Sequence, residues 1–229
     1  MSVKVEFWGD YACFSRPELK VERMSYDVMT PSAARGMLEA IYWHPGLRWV
    51  IDRIYVCEPI RFTGIRRNEV KDKIVASTVK RAMEGKEADL FLCTKDSIQQ
   101  RAATVLYHVR YVVEAHFEMT DHAASGDNPG KFQDIMRRRL EKGQCYHTPC
   151  FGTREFPANF RPWDGGAVET AYPGDRRDLG LMLYDMDYSD PEHIAPMFFR
   201  AVLENGVLNV PARDSGRYCD DLTGADGLL

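Results

Sequence analysis

The run TVLYHVRYVVEAHFEM, residues 104–119, limits the possible folds more than any other stretch of the chain. It is rich in valine and tyrosine, which favour β-strands. Successive side chains of a strand point to opposite faces, so His108, Arg110 and His116 share one face, whereas the odd-numbered positions are mostly apolar. The run therefore predicts a strand with one polar, titratable face and one face that packs against helices.

Two segments have the spacing of amphipathic helices. TPSAARGMLEAIYW offers Thr30 as an N-cap and Pro31 at the first helical position, and Pro45 with Gly46 predicts where the helix ends. NPGKFQDIMRRRLEKGQ repeats apolar residues three and four apart and is predicted to end at Gly143. Each segment therefore predicts a helix with one apolar face.

Three further segments predict strands. These are VKVEFWG, LRWVIDRIYVCEPIRF, whose alternation shifts as at a bulge, and TPCFGTREFPANF. The resulting order, βαββαβ, is that of the ferredoxin-like fold, which RNA-recognition modules share. Right-handed crossovers between neighbouring elements then predict an α+β fold, a four-stranded antiparallel sheet with both helices on one face.

The domain organisation follows from this order. Residues 1–160 form the predicted ferredoxin-like domain, with a polar, charged insertion at 63–100 that is either a long hairpin or a mobile loop. Residues 161–211 predict a small, mostly β extension, in which ENG between two apolar runs indicates a hairpin turn. The Gly- and Asp-rich residues 212–229 predict a flexible tail.

Composition narrows the class of protein. Hydrophobic residues make up 45%, enough for a sizeable core, and no window is long and apolar enough for a membrane span. The N-terminus lacks the pattern of a signal peptide, so we expect a soluble, cytoplasmic protein. CYHTPC groups Cys145, His147 and Cys150, but no second ligand pair follows at zinc spacing, so we expect no metal and no cofactor.

Charge is distributed unevenly. The net charge of −4 argues against bulk, non-specific nucleic-acid binding but is compatible with a local basic face. Between positions 61 and 81, seven basic residues stand against two acidic ones, which suits a loop that closes on a phosphate backbone. For the second basic cluster, 137–142, a solvated helix face is the alternative. The candidate RNA-binding residues are Arg66, Arg67, Lys71, Lys73, Arg110, Arg137 and Arg138.

The candidate catalytic residues are Tyr42, His108 and His116. Convergent titratable groups on one surface are what general acid–base catalysis needs, and the two histidines share a strand face with Arg110. Alternatively, both histidines face solvent or a neighbouring domain. Tyr42 ends the first helix, where it can also serve only to close the helix end with its hydroxyl in water.

Several long and unusual strings carry a family resemblance. GDYACFSRPE, SYDVMTPSAARGMLEAIYW and EAHFE, with the order of elements from about residue 3 to about residue 210, resemble the CRISPR-associated "Cas five d" family of type I-C systems. The resemblance implies a ferredoxin-like domain with a small β extension. It also implies an endoribonuclease that cuts the repeat RNA of the precursor transcript near the base of a hairpin, without metal. The protein then stays bound to the 5′ tag of the crRNA as a subunit of the surveillance complex.

The family's active centre is described as a tyrosine, a lysine and a histidine, with the tyrosine in the IYW string, here Tyr42. This chain contains no Lys-His dipeptide. The nearest match is Tyr107-His108, His116 is the competing histidine, and the segment 71–80 could supply a lysine.

The reaction that fits is a transesterification. A ribose 2′-OH attacks the adjacent phosphate and leaves a 2′,3′-cyclic phosphate. Histidine, or a tyrosine whose pKa is lowered by neighbouring cations, can act as the base, and lysine or arginine can stabilise the charge on the phosphate.

Two rival functions stay open. The chain could be a non-catalytic subunit that caps the crRNA and scaffolds the complex, which the missing lysine favours. It could also be a DNA-directed nuclease or DNA-binding subunit, although the sequence lacks the acidic cluster of a two-metal nuclease. The expected partners are CRISPR repeat RNA or crRNA and other subunits of the type I-C complex, with double-stranded DNA as a further candidate and no membrane.

Overall fold

The computed structural model describes residues 2–19, 21–190 and 192–212. An antiparallel β-sheet dominates this part of the chain, which is therefore of the α+β class, as the sequence predicts. Its helices are α1 (Pro31–Ile41), α2 (Ala76–Met83) and α3 (Pro129–Lys142). Its strands are β1 (Ser2–Ala12), β2 (Arg23–Met24), β3 (Leu47–Val56), β4 (Phe62–Val70), β5 (Ile98–Met119), β6 (Asn159–Pro162), β7 (Arg176–Asp187), β8 (Ala195–Glu204) and β9 (Val207–Asn209).

Strand β5 organises the sheet. It is 22 residues long and contains the whole of the predicted strand 104–119. Its first half pairs antiparallel with β4, and its second half lies between β1 and β3, also antiparallel. The main path through the sheet runs β6-β1-β5-β3-β9-β8-β7, with β2 and β4 attached to β5 outside that path. The long strand therefore connects every part of the sheet.

The core lies between one face of the sheet and the helices. Strand β5 buries Val109, Tyr111 and Val113 on its odd face, while His108 on the even face is exposed. The alternation is not strict, because Val112 on the even face is also buried. In β3 the register shifts between Ile51 and Arg53, which confirms the predicted bulge.

The helix starts are confirmed, and one helix end is not. The Thr30 hydroxyl accepts a hydrogen bond from the Ala33 amide at 3.2 Å, and α3 ends at Gly143 in the left-handed conformation with φ 61°. Helix α1 stops before the predicted Pro45-Gly46, since Tyr42 already has extended backbone angles, φ −149° and ψ 116°. Tyr42 is therefore the C-cap residue of α1.

The segment TPCFGTREFPANF contains a strand only at its end, from Asn159. A backbone reversal precedes it. Gly152 has φ 83°, and a Cβ at this position would lie 2.0 Å from the Cys13 carbonyl oxygen. Only glycine allows this approach, so the chain cannot extend as a strand through position 152.

The polar insertion at 63–100 is a hairpin arm. Strands β4 and β5 pair from Phe62 opposite Leu106 to Val70 opposite Ile98, and α2 lies in the connection between them. Of the two alternatives from the sequence, the hairpin is therefore observed. Helix α2 has no buried residue.

Strands β7, β8 and β9 join the same sheet, because β9 pairs with β3. Asn205 and Gly206 both have positive φ, 52° and 74°, which confirms the hairpin turn predicted from ENG. The predicted tail lies outside the described residues except for Ala212. None of the described helices is long and apolar enough to cross a membrane.

Candidate active site

Tyr42 lies where the end of α1 meets the start of α3. It is 5% exposed, and its ring centroid is 6.2 Å from that of Phe132. The Arg139 guanidinium lies over the same ring at 5.0 Å and also donates a hydrogen bond to the Ile41 carbonyl. The Trp49 indole donates to the Tyr42 carbonyl at 2.9 Å. Both helices and β3 therefore hold this tyrosine in place.

Charged groups surround the Tyr42 ring. Burial raises the pKa of Tyr42, the positive charges of Lys131 and Arg139 lower it, and Asp127 raises it; the net result is a pKa above the ordinary value. Tyr42 therefore keeps its proton at neutral pH. This differs from the tyrosine with a cation-lowered pKa in the sequence hypothesis, because burial outweighs the two cations and Asp127 lies 2.7 Å from the Lys131 ammonium.

His44 completes the surroundings of Tyr42. Its ring centroid is 4.9 Å from that of Phe132, and its Nδ1 lies 3.8 Å from an Asp127 carboxylate oxygen. The same Nδ1 accepts a hydrogen bond from the Gly46 amide at 3.0 Å. Asp127 therefore contacts both His44 and Lys131, and the Tyr42 ring lies beside them, because Tyr42 and His44 both pack on Phe132.

The loop that carries Asp127 reaches His44 because position 46 is a glycine. A Cβ at Gly46 would lie 2.9 Å from the Cα of Ala123. The Thr120 amide donates to the Gly46 carbonyl at 3.0 Å, and the Ala124 amide donates to an Asp127 carboxylate oxygen at 2.8 Å. We refer to Tyr42, His44, Asp127 and Lys131 as the helix-side cluster.

Sequence reasoning missed His44, Asp127 and Lys131. A Lys-His dipeptide is the wrong pattern for this chain, because its lysine and histidine come from segments about 90 positions apart that only the fold brings together. The sequence nevertheless contains a pattern that indicates an ion pair at the start of α3. Lys131 follows the Asn128 N-cap in the first turn of α3, and Asp127 precedes Lys131 by four residues, a spacing at which opposite charges pair.

His116 lies on the other face of the sheet. Its neighbour Phe117 packs edge-on against Trp49 at 5.6 Å and against Phe132 at 6.1 Å, so Phe117 faces the helices. Successive strand residues point to opposite faces, and the sheet therefore lies between His116 and Tyr42. The His116 Nδ1 is 2.9 Å and 3.0 Å from the two carboxylate oxygens of Asp52.

His108 is far from His116 along the same strand. His116 lies eight positions further along β5, which corresponds to about 26 Å along a strand. His108 is exposed, has φ 51° and packs its ring edge-on against Tyr107 at 5.5 Å. The structure therefore does not bring Tyr42, His108 and His116 together in one site.

The candidate RNA-binding residues lie in three places. Arg66, Arg67, Lys71 and Lys73 belong to the hairpin arm, where Arg67 pairs with Glu69 and Glu155 and the two lysines are exposed. Arg110 is on the polar sheet face, where its Nε donates to Glu6 at 2.6 Å. Along α3, Arg137 pairs with Asp134 and Glu141, and Arg138 is exposed.

The CYHTPC segment anchors the chain after α3. The amides of Tyr146 and His147 both donate to the Ala40 carbonyl, at 2.9 Å and 3.0 Å. Within the described ranges, no group of three or more His, Cys, Asp or Glu side chains could hold a metal ion.

Residues 2–211 match the family model described as CRISPR-associated protein (Cas_Cas5). The chain belongs to the Cas5d family. It is 51% identical over 214 residues to the CRISPR pre-crRNA endoribonuclease Cas5d of Mannheimia succiniciproducens, an alignment that covers 91% of this chain and 94% of the relative. It is 42% identical over 227 residues to the protein of the same name from Thermus thermophilus, with 92% and 91% covered.

Solved structures agree with this Cas5d membership in fold. A crystal structure of a CRISPR-associated protein superposes with a TM-score of 0.68 at 22% identity and covers 96% of this chain and 95% of its own. A functionally uncharacterized protein from Streptococcus mutans, SMU1763c, has a TM-score of 0.67 at 21% identity, with 94% of each chain covered.

Proposed function

We propose that this Cas5d-family chain is a pre-crRNA endoribonuclease. It cleaves CRISPR repeat RNA and then stays on the 5′ tag of the crRNA as a subunit of a type I-C surveillance complex. Two relatives named as such enzymes align over more than nine tenths of its length. The structural observation that carries the proposal is the contact of Asp127 with both His44 and Lys131, beside a Tyr42 ring that packs on Phe132 together with His44.

The helix-side cluster supports a transesterification. The ribose 2′-oxygen forms a bond to the adjacent phosphorus, the bond to the 5′-oxygen breaks, and a 2′,3′-cyclic phosphate remains. Lys131 stabilises the charge that develops on the phosphate oxygens, as preorganised cations do. Its Asp127 partner raises the pKa of Lys131, so the ammonium stays charged throughout the neutral range.

Proton transfer in this scheme involves Tyr42 and His44. Tyr42 holds its proton until the bond to the 5′-oxygen breaks and then donates it to that leaving oxygen. His44 takes the proton of the 2′-OH on Nδ1, and this nitrogen then exchanges the Gly46 amide for the Asp127 carboxylate as its partner. RNA approaches from the rim, where the Lys131 side chain is 46% exposed, since Tyr42 itself is nearly buried.

His116 is the second candidate for the base. Asp52 holds Nδ1 with both carboxylate oxygens, an arrangement that fixes the tautomer and leaves Nε2 free to accept a proton. A site there would use Lys4 or Arg53 instead of Lys131, because both basic side chains approach Glu114 on the same face. His108 has no comparable orienting carboxylate among the contacts of the described residues, which makes it a contact residue in this proposal.

A ferredoxin-like unit with a small β extension is part of the proposal. The sheet order β6-β1-β5-β3, with α1 between β1 and β3 and α3 between β5 and β6, supports the assignment to residues 1–160. Strands β7 to β9 supply the extension, 161–211. The arm residues Arg66, Arg67, Lys71 and Lys73 would bind the RNA backbone, and Arg137 and Arg138 would extend this contact along α3.

The test is to incubate the protein with its own repeat RNA in EDTA, beside the same RNA with a 2′-deoxy nucleotide at the cut position. We expect cleavage of the first RNA only, with a cyclic phosphate end. Tight binding without cleavage would instead support the capping and scaffolding role. Cleavage of double-stranded DNA that stops in EDTA would support a DNA-directed nuclease.

A further inference from the structure

The polar face of the sheet carries a regular arrangement of side chains on three neighbouring strands. Trp8 of β1 stands directly opposite Arg110 of β5 and Asn159 of β6. Two residues along β1, Glu6 stands opposite Arg161. Directly opposed residues share a face, and so do residues two apart on one strand. An aromatic ring therefore lies among two arginines, an amide and a carboxylate.

Glu6 fixes the two arginines. Its side chain is 1% exposed and accepts hydrogen bonds from the Nε atoms of Arg110 and Arg161. Burial raises the pKa of Glu6, but the two arginines more than offset this, so its pKa lies below the ordinary value and the carboxylate stays charged. Two cations on this one carboxylate leave one positive charge in excess at Glu6, although Asp10, Glu58 and Glu155 also line the groove.

The outer ends of these arginines are available to a ligand. Each guanidinium bonds Glu6 through Nε, and neither donates from its Nη atoms to another described residue. The Arg161 side chain is 61% exposed and that of Arg110 is 37% exposed. Planar Nη groups held in a fixed orientation are suited to phosphate oxygens.

The Trp8 ring is half-buried and borders a groove of about 840 Å³. The Arg161 guanidinium lies 5.3 Å from the ring on one side. Tyr11, three positions after Trp8 in β1, also lines this groove, is 42% exposed and packs against Phe156 at 5.9 Å. The groove volume is in the range of sites for small molecules and single nucleotides.

We propose that this groove binds an unpaired nucleotide of single-stranded RNA, with its base stacked on Trp8 and its phosphate on the Nη groups of Arg110 and Arg161. The proposal rests on the proposed function for its choice of RNA as the ligand. Aromatic side chains on an open sheet face stack unpaired bases in a sequence-tolerant way. A duplex does not fit, because its bases already stack on one another and present only their edges.

The test measures the affinity of the full-length protein for a short unstructured RNA that contains no hairpin and no cut site. Trp8→Leu is expected to lower affinity about tenfold, and Trp8→Phe, which keeps a ring, to lower it less. Trp163→Leu is the matched control, a half-buried tryptophan in a cavity with Phe117 and Met136 on the helix side of the sheet. It should leave affinity unchanged.

An abasic position moved along the same RNA separates stacking from loss of folding. At one position, removal of the base should weaken binding to the wild type and have little further effect on Trp8→Leu. Equal losses for both proteins at every position would overturn the proposal, as would an unchanged affinity of Trp8→Leu.

Cleavage of the full repeat by the wild type is measured separately. A protein that cleaves but does not use Trp8 refutes this subsite alone. One that binds through Trp8 without cleaving refutes the proposed enzyme alone.

Discussion

Each face of the sheet has a buried carboxylate, and the two faces differ in the groups that stay exposed beside it. Under the helices, Tyr42 is nearly buried, the Asp127 side chain is 2% exposed, and its partner Lys131 is 46% exposed. On the opposite face the buried group is the charged Glu6, and an aromatic ring, Trp8, is left half-exposed. The first arrangement suits a reaction in which charge develops near a protected donor, and the second suits the holding of a ligand.

The largest expected effect is on the cleavage rate, and it tests whether the helix side of the sheet carries the reaction. Tyr42→Phe removes one hydroxyl and keeps the ring that packs against Phe132. We expect single-turnover cleavage of repeat RNA to fall by about a thousandfold, the scale of a lost proton-transfer group. Affinity for the RNA should change little.

The control is Tyr188→Phe, which removes a hydroxyl from a tyrosine that is 60% exposed. Cleavage by this variant should match the wild type. If Tyr42→Phe cleaves as fast as the control, the helix-side cluster is not the active site.

Lys131→Met should produce the next largest effect. The loss of a cation that stabilises the transition state lowers the rate by about a hundredfold. Lys131→Arg, which keeps the charge, should recover part of that rate. Lys142→Met in the last turn of the same helix is the matched control, since Lys142 is exposed and lies three turns away. Equal rates for Lys131→Met and Lys142→Met would remove Lys131 from the mechanism.

Tyr42 and Lys131 differ in how far the sequence alone indicates them, because a motif marks the first and not the second. The IYW string makes Tyr42 a candidate because the resemblance marks that position. The spacing of Lys131 from Asp127 predicts only an ion pair, since the proposed role of Lys131 depends on a loop, 120–128, that packs on Gly46 and brings Asp127 between His44 and α3. Periodicity predicts which residues of α3 face the core, but it carries no information on which distant loop meets the first turn of that helix.

For strand β5, the sequence predicts which side chains share a face but not which of them lie close together. The even positions of β5 were predicted to share a polar face, and the pairing with β1 and β3 places Arg110 and His116 on it. Sharing a face, however, does not mean sharing a site, because β5 is long enough to keep His108 and His116 about 26 Å apart. The bulge in β3 and the burial of Glu6 are further features that depend on partner strands and not on β5 itself.

The charged pair network of the polar face should be visible in the pH dependence of stability. Because the folded-state pKa of Glu6 is lowered, its stabilising contribution is present above its ordinary value of 4.5 and is lost as pH falls through the folded value. Glu6→Gln should therefore lower the free energy of unfolding at pH 7 by ~1–2 kcal/mol, since it leaves two partly exposed arginines without their partner. The difference in the free energy of unfolding between the wild type and Glu6→Gln should become smaller in acid.

Glu118→Gln is the control for this measurement. Glu118 pairs with Arg48, and both side chains are 48% exposed, so its removal should cost less than ~0.5 kcal/mol at any pH. A difference between wild type and Glu6→Gln that stays constant from pH 7 to pH 3 would show that the carboxylate charge is not what stabilises this face.

The smallest expected effect is the most informative about the two candidate bases. His116→Ala removes an imidazole that faces away from Tyr42 and whose Nδ1 is bound to Asp52. If the helix-side cluster carries the chemistry, cleavage should stay within about twofold of the wild type, whereas His44→Ala should slow it by about a hundredfold. Both variants are assayed in a single turnover across pH 5 to 8, because a lost general base also removes the corresponding limb of the pH–rate profile.

The reverse result, with His116→Ala slow and His44→Ala unaffected, would move the active site to the polar face. Trp8, Arg110 and Arg161 would then lie on the same side of the sheet as the reaction, and their nucleotide would be a neighbour of the cut and not a separate anchor on the far side of the protein.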